Sequence, residues 1–292
     1  EGYRSYRTYY KSFYDEFFID ANVFKVGKYK AFVEPYFRDN MSEEAKNNII
    51  EWMSVLWENY LDDISTAREI DRVSFENYIN SLDTALKENE GDAGLTALNS
   101  GLVDQLTNKR QFRDYLFSLS GDEEDNSINT IDMRRYSKII KNNKSALDKA
   151  SEDDSNIAVI VASGGIINGT GGPGTIADED FITLIRKAYD DESIKALVLR
   201  VDSGGGSAYA SEVIADELEK FKESGRPIVA SMGGVAASGG YYISAPADKI
   251  YAEKATITGS IGVGGFIPTF ERAFDQLGIH EDGYSTVDTN TS

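Results

Sequence analysis

The chain has 292 residues, 41% of them apolar, which is enough for a normal core and leads to an expectation of two domains. Acids outnumber bases by 49 to 30, and the resulting net charge of −19 serves solubility and repels both nucleic acid and anionic membrane surfaces. The absence of cysteine excludes disulfides, thiolate metal sites and a cysteine nucleophile, and the single histidine, His280, excludes a multi-histidine metal centre within one chain.

Residues 1–20 mix Tyr and Phe with charges and read as an amphipathic helix. Residues 22–26 form a short strand, followed by a turn at Gly27, Lys28, Tyr29 and Lys30. The pattern from Met41 to about Ser118 is helical, starting at Ser42 with Glu43 and Glu44 in the next turn. Trp52, Leu56, Trp57 and Tyr60 recur there at helical spacing and are assigned to a core rather than to a cofactor box. Residues 120–154 are polar and charged, and are expected to be a linker or exposed excursion. Their GDEEDN stretch lacks the glycine and ligand spacing of a calcium loop.

After Asn156 the period changes. Strands are expected at 157–162, 195–201, 227–232 and 249–252, with helices at 176–189 and 208–222 between them. Continuous apolar strands alternating with helices predict an α/β domain with a largely parallel sheet covered on both faces. Every apolar run is far shorter than a bilayer span. The start at Glu1-Gly2-Tyr3 and the polar end TVDTNTS are read as those of an excised piece, with any signal or anchor outside it. YDEFFI (14–19) is echoed by FDQLGI (274–279), as expected of a duplicated ancestor.

Glycines gather at predicted strand ends. Asp202-Ser203-Gly204-Gly205-Gly206-Ser207 joins a strand to a helix, where a flexible backbone approaches a ligand closely and free N–H groups hold negative charge. An oxyanion hole and a plain tight turn both fit these residues. The stretch has neither a P-loop lysine nor GxGxxG spacing, which disfavours nucleotide binding. In Gly233-Gly234-Val235-Ala236-Ala237-Ser238-Gly239-Gly240-Tyr241-Tyr242, a serine sits among residues with almost no side chains. Ser238 fits a nucleophile beside oxyanion-binding N–H groups, and equally a small residue in close helix packing. A nucleophilic serine needs a base. A lysine serves if burial or a nearby cation keeps its amine neutral. Lys30 lies in the apolar, aromatic stretch GKYKAFVEPY, and Lys28 is an equal candidate on chemistry alone.

The stretch SMGGVAASGGYYISAPADKIYAEKATITGSIGV resembles the nucleophile region of the SppA signal-peptide peptidases, serine peptidases of family S49. FKVGKYKAFVEPYFRDNMS resembles the lysine-bearing region of the long, duplicated members, and LNSGLVDQL a connecting stretch. The resemblance implies Ser238 as nucleophile, Lys30 as general base and Ser260, in TGSIG, as the hydroxyl that orients the lysine. It places the oxyanion hole on Gly205, Gly206 and Gly239, and implies no metal, nucleotide or other cofactor.

The implied fold is a ClpP/crotonase-like α/β spiral, tandem duplicated and preceded by a mainly helical segment. Residues 1–120 would be the back of one repeat, 121–155 a linker, and 156–292 the front of the next. The implied activity is cleavage of remnant signal peptides at the periplasmic face of the bacterial inner membrane. A homo-oligomer would do this, attached to the membrane through a segment absent from this chain. The family turn SPGGS reads SGGGS here, with Gly204 for proline, which loosens the turn and keeps its N–H groups. Two rival readings are a crotonase-like acyl-CoA enzyme, which uses placed carboxylates, and a catalytically inactive scaffold.

Overall fold

A computed structural model describes residues 2–122, 124, 127–148, 156–284 and 286. The chain packs into two units, Tyr3–Trp57 with Asn156–Ser292 and, separately, Glu58–Ser155. Packing thus groups Tyr3–Trp57 with the last part of the chain, across the order of the sequence.

The N-terminal aromatic stretch forms less helix than its periodicity predicts. Residues 2–10 carry no regular structure, and helix α1 spans Lys11–Glu16 alone. Aromatic contacts across the chain take precedence here over helical propensity. Tyr3 meets Trp57 edge-on at 5.9 Å, Tyr10 stacks on Tyr36, and Tyr36 stacks on Phe266 at 4.0 Å. Strand β1 (Asp20–Val26) follows, then a 3₁₀ turn at Ala31–Val33, α2 (Glu34–Phe37) and α3 (Glu43–Arg68). Ser42 starts α3 as expected: its Oγ accepts from Ala45 N–H at 3.2 Å and its carbonyl from Lys46 N–H.

In the unit built on Glu58–Ser155, the expected helical stretch is divided. It comprises the end of α3, then α4 (Arg72–Asn80), α5 (Leu82–Glu88), α6 (Ala93–Asn99) and α7 (Lys109–Ser120). Side chains fix several starts: Asp71 caps α4, Asp92 caps α6, and Asn108 with Gln111 forms a capping box on α7. The expected linker has structure of its own. A hairpin of β2 (Gly121–Asp122) and β3 (Ser127–Ile128) precedes α8 (Met133–Asp148). Asp132 begins α8 by accepting Arg135 N–H, and Tyr136, Ile139 and Ile140 supply a helical spacing masked by the surrounding charges. Residues 123, 125 and 126 of GDEEDN, and 149–155, lie outside the described residues.

The remaining elements are β4 (Asn156–Ser163), β5 (Gly165–Ile167), β6 (Thr175–Ala177), α9 (Asp178–Asp190), β7 (Ile194–Ser203) and α10 (Ala208–Glu223). After them come β8 (Ile228–Ala237), α11 (Gly239–Tyr242), β9 (Lys249–Tyr251), β10 (Ile257–Gly259), β11 (Val263–Thr269) and α12 (Glu271–Leu277). The α/β fold with a parallel sheet is as expected: the strands run β10-β8-β7-β4, with β9 beside the first part of β8, all parallel. Alternation along β7 and β8 buries Leu197, Leu199, Val201, Ile228 and Met232 in one cluster with Phe181 and Ile185 of α9 and Ile214 and Leu218 of α10. Each such side chain contributes about 1.5–3 kcal/mol.

Among the described residues the expected cover on both faces is not found. Helices α9 and α10 bury one face of the sheet, while Ile157, Val159 and Val161, on the other side of β4, are 62%, 62% and 60% exposed. Strands β1 and β11 form a separate antiparallel ribbon, with Asp20 opposite Thr269 and Val26 opposite Val263.

Candidate active site

Three chain segments meet at the C-terminal end of β8. Parallel strands leave their carboxyl ends open to a crevice, and β8 delivers Ser238 there. Ser238 has φ +52° and ψ −120°, a conformation costing a non-glycine residue of order 1–3 kcal/mol. It is held from both sides: Ser238 N–H donates to Gly259 O at 2.8 Å, and Tyr242 N–H donates to Ser238 O at 2.9 Å. The sharp turn lifts the hydroxyl off the strand and starts α11 directly behind it.

The β1–β11 ribbon brings in the lysine. Where the ribbon ends, Gly262 has φ +135°, and a Cβ there would lie 2.1 Å from Val26 O, so the two chains touch backbone to backbone. The turn from Gly27 then places Lys30 under the ribbon, 6% exposed. Lys30 Nζ is 2.6 Å from Ser238 Oγ and 3.5 Å from Ser260 Oγ, and donates to the Ser260 carbonyl at 2.9 Å. The ring of Phe32 lies 5.7 Å from the same nitrogen. Among the described residues no carboxylate pairs with this amine, and burial pushes its pKa down from the ordinary lysine value. Lys28, equal to Lys30 on chemistry alone, is exposed, with its amine over the Tyr29 ring.

The 203–207 turn forms the opposite wall. A Cβ on Gly205 would sit 2.5 Å from Gly239 N and 2.8 Å from Ser238 Cβ, so a glycine is needed for the turn to reach the serine. Gly205 N–H donates to Ser203 Oγ at 3.1 Å, and Ser203 Oγ–H donates in turn to Gly164 O. Ile166 N–H donates to Gly205 O and Ser207 N–H to Ile166 O, which pins the turn to β5. Gly206 and Gly239, by contrast, have no hydrogen bond from their N–H groups among the described residues. Two unengaged amides beside a serine hydroxyl are what a developing oxyanion requires.

Lys30, Ser238, Ser260 and all three glycines line one cleft of about 1000 Å³. Among the lining residues that the sequence did not single out for a role are Glu212 on α10 and Tyr242, whose hydroxyl donates to the Glu212 carboxylate. Tyr242 stands four residues after Ser238, one helical turn on, and that spacing held the signal, whereas nothing local in the sequence marked Glu212 on the second turn of α10. His280 is exposed, beside Asp275, and does not line the cleft. Among the described residues no cluster of three or more His, Asp or Glu is arranged to hold a metal ion.

Peptidase family S49 matches the chain over residues 2–120 and 220–288. Protease 4 of Haemophilus influenzae is 37% identical over 97% of this chain and 46% of its own length. Protease 4 of Salmonella typhi is 38% identical over 98% of this chain and 45% of its own. The chain therefore spans about half the length of these relatives. A solved structure titled a probable enoyl-CoA hydratase from Mycobacterium smegmatis aligns with TM-score 0.26 and 19% identity, over 37% of this chain and 49% of that one. The motif around Ser238, the lysine brought to it by β1, and a family match over more than half the residues agree: this chain belongs to peptidase family S49.

Proposed function

We propose that this chain carries the complete Ser–Lys dyad of an endopeptidase that degrades cleaved signal peptides. The observation behind this reading is the 2.6 Å separation of a buried, carboxylate-free Lys30 amine from Ser238 Oγ. A neutral amine has two N–H groups and one lone pair. With its N–H groups directed to the Ser260 carbonyl and hydroxyl, the lone pair is left for the Ser238 proton.

Lys30 takes that proton as Ser238 Oγ attacks the scissile carbonyl. The Gly206 and Gly239 amides receive the oxyanion, and Gly205 provides the close approach. Lys30 then protonates the leaving amine, and water releases the acyl group from Ser238. Glycine-lined walls suit an extended substrate held by its backbone. Thioester chemistry on acyl-CoA has no use for a lysine directed at a serine, which favours the peptidase reading over the crotonase one.

The setting belongs to the same proposal: the periplasmic face of the bacterial inner membrane, reached through a segment outside this chain, in a homo-oligomer. Among the described residues no helix is long and apolar enough to cross a membrane. YDEFFI and FDQLGI each overlap the end of a short helix, α1 and α12, which fits a duplicated ancestor. The test is hydrolysis of short apolar fluorogenic peptides. Ser238→Ala and Lys30→Met should each stay folded and lose activity, the lysine variant by ~100- to 10,000-fold. An active Lys30→Met would move the base elsewhere, and turnover of a coenzyme A thioester with no peptide cleaved would overturn the reading.

A further inference from the structure

The cleft holds one carboxylate with no role in the dyad. Glu212 lies on the second turn of α10 and lines the cleft together with Ser211, Tyr241, Tyr242 and Ala245. Its Oε2 accepts the Tyr242 hydroxyl, which fixes the carboxylate beside α11 and leaves Oε1 with no hydrogen-bond partner among the described residues. No described cation pairs with it. Lys220 and Arg186 go to Glu217, and Lys222 goes to Asp248. The one lysine lining the cleft, Lys30, is engaged by Ser238 and Ser260.

Asp216 and Glu219 follow Glu212 at helical spacing. Their charges add to the Glu212 hydrogen bond and to burial in pushing the Tyr242 pKa up, so they act on the same corner. The wall between α10 and α11 is therefore electronegative, in a cleft whose remaining lining, apart from Lys30 and the two tyrosines, is glycine, serine and apolar groups. A carboxylate held in place and lacking a counter-ion attracts a cation from whatever occupies the cleft.

We propose that Glu212, positioned by Tyr242, determines specificity by receiving a cationic group of the bound peptide on its free oxygen. This rests on the peptidase reading for the kind of ligand and on the cleft for its place. The cation is a lysine or arginine side chain or the peptide's own α-amino group.

Binding to the Ser238→Ala chain, followed by fluorescence anisotropy, separates this proposal from turnover. Three labelled peptides suffice: an acetylated one with lysine, the same with norleucine, and the norleucine peptide with a free N-terminus. A cationic peptide is expected to bind about tenfold tighter than acetylated norleucine, as one charge-assisted hydrogen bond provides. Ser238→Ala/Glu212→Gln, which keeps the volume and an acceptor for Tyr242, should remove that gap. A gap for the lysine peptide assigns a side-chain subsite, and a gap for the free amine alone assigns an N-terminal one. Equal binding of all three peptides, or a gap that survives Glu212→Gln, overturns the proposal. Failure of the wild-type chain to hydrolyse any peptide, with the gap intact, would count against the peptidase reading and leave the cationic subsite standing.

Discussion

Lys30 Nζ and Ser238 Oγ lie 2.6 Å apart although 208 positions separate them in the sequence. The β1–β11 ribbon makes this contact: its register ends with Val26 opposite Val263, and the lysine turn leaves from that end. Ser260, at the head of the same ribbon, accepts the amine through its backbone carbonyl at 2.9 Å, closer than through its hydroxyl at 3.5 Å. The carbonyl therefore orients Lys30 most directly, and Ser260→Ala should retain more activity than Lys30→Met, measured as kcat/KM on one peptide.

Burial lowers the Lys30 pKa, and the direction fixes two pH dependences. The base is the neutral amine, so kcat/KM should rise with pH through the depressed lysine pKa, and Lys30→Met should abolish that limb. For stability the folded-state pKa lies below the unfolded value of 10.5. Below the folded pKa both states are protonated, and the folded state bears the cost of a buried charge. Between the two pKa values the unfolded chain binds more protons, and stability climbs with pH. Lys30→Met should therefore gain most over wild type on the acid side, with the difference shrinking as pH rises, as read from denaturant midpoints at a series of pH values.

Gly205→Ala tests the opposite wall. The new methyl would press on Gly239 N and Ser238 Cβ in a backbone with φ +94°, so the turn must move away from the nucleophile. Loss of one oxyanion donor costs ~100- to 1,000-fold in kcat, and displacement of this turn should cost at least that. Circular dichroism should show the parallel sheet retained. Activity within tenfold of wild type would place the oxyanion elsewhere.

Legibility in the sequence followed the range of the interactions. The strands and helices after Asn156 were readable because apolar period and length are local properties. The covered faces were not: Ile157, Val159 and Val161 look as buried in sequence as Ile160 and Ala162, and only the placement of α9 and α10 separates them. Ser238 stood out through its glycine and alanine neighbours. Lys30 and Lys28 could not be separated by residue type, because the difference is a ribbon register set more than two hundred residues away. The resemblance to a known family supplied that choice. It did not extend to Glu212, whose partner lies on another helix.

Ser42 offers a test of the platform beneath Lys30. Glu34, 3% exposed, accepts both the N–H of Ser42, at 3.1 Å, and its hydroxyl, while Ser42 Oγ caps α3 through Ala45 N–H. Ser42→Ala removes the cap and leaves Glu34 with one bond fewer in a buried place. A loss of about 1–2 kcal/mol is expected in urea unfolding. A change under 0.5 kcal/mol would mean that water replaces the hydroxyl.

Arg226 ties several elements together outside the cleft. It sits between α10 and β8, and its guanidinium donates to the carbonyls of Ala188, Tyr189, Asp191 and Ile194. Two of these belong to the last turn of α9, where carbonyls lack helical partners and the helix dipole favours a cation. The same group lies 4.5 Å from the centre of the Phe221 ring and 5.3 Å from that of Tyr189. One planar cation thus joins the end of α9, the start of β7 and the ring of α10. Lysine cannot span the same fan of carbonyls, so Arg226→Lys should recover less than half of what Arg226→Met loses. The methionine variant should lose about 3 kcal/mol, since bonds to a charged donor are worth roughly 1.5–3 kcal/mol each and water resolvates some of the carbonyls. Because Arg226 does not line the cleft, kcat/KM measured well below the melting temperature should stay within about twofold of wild type. A stable but inactive Arg226→Met would instead tie this corner of the sheet to the active site.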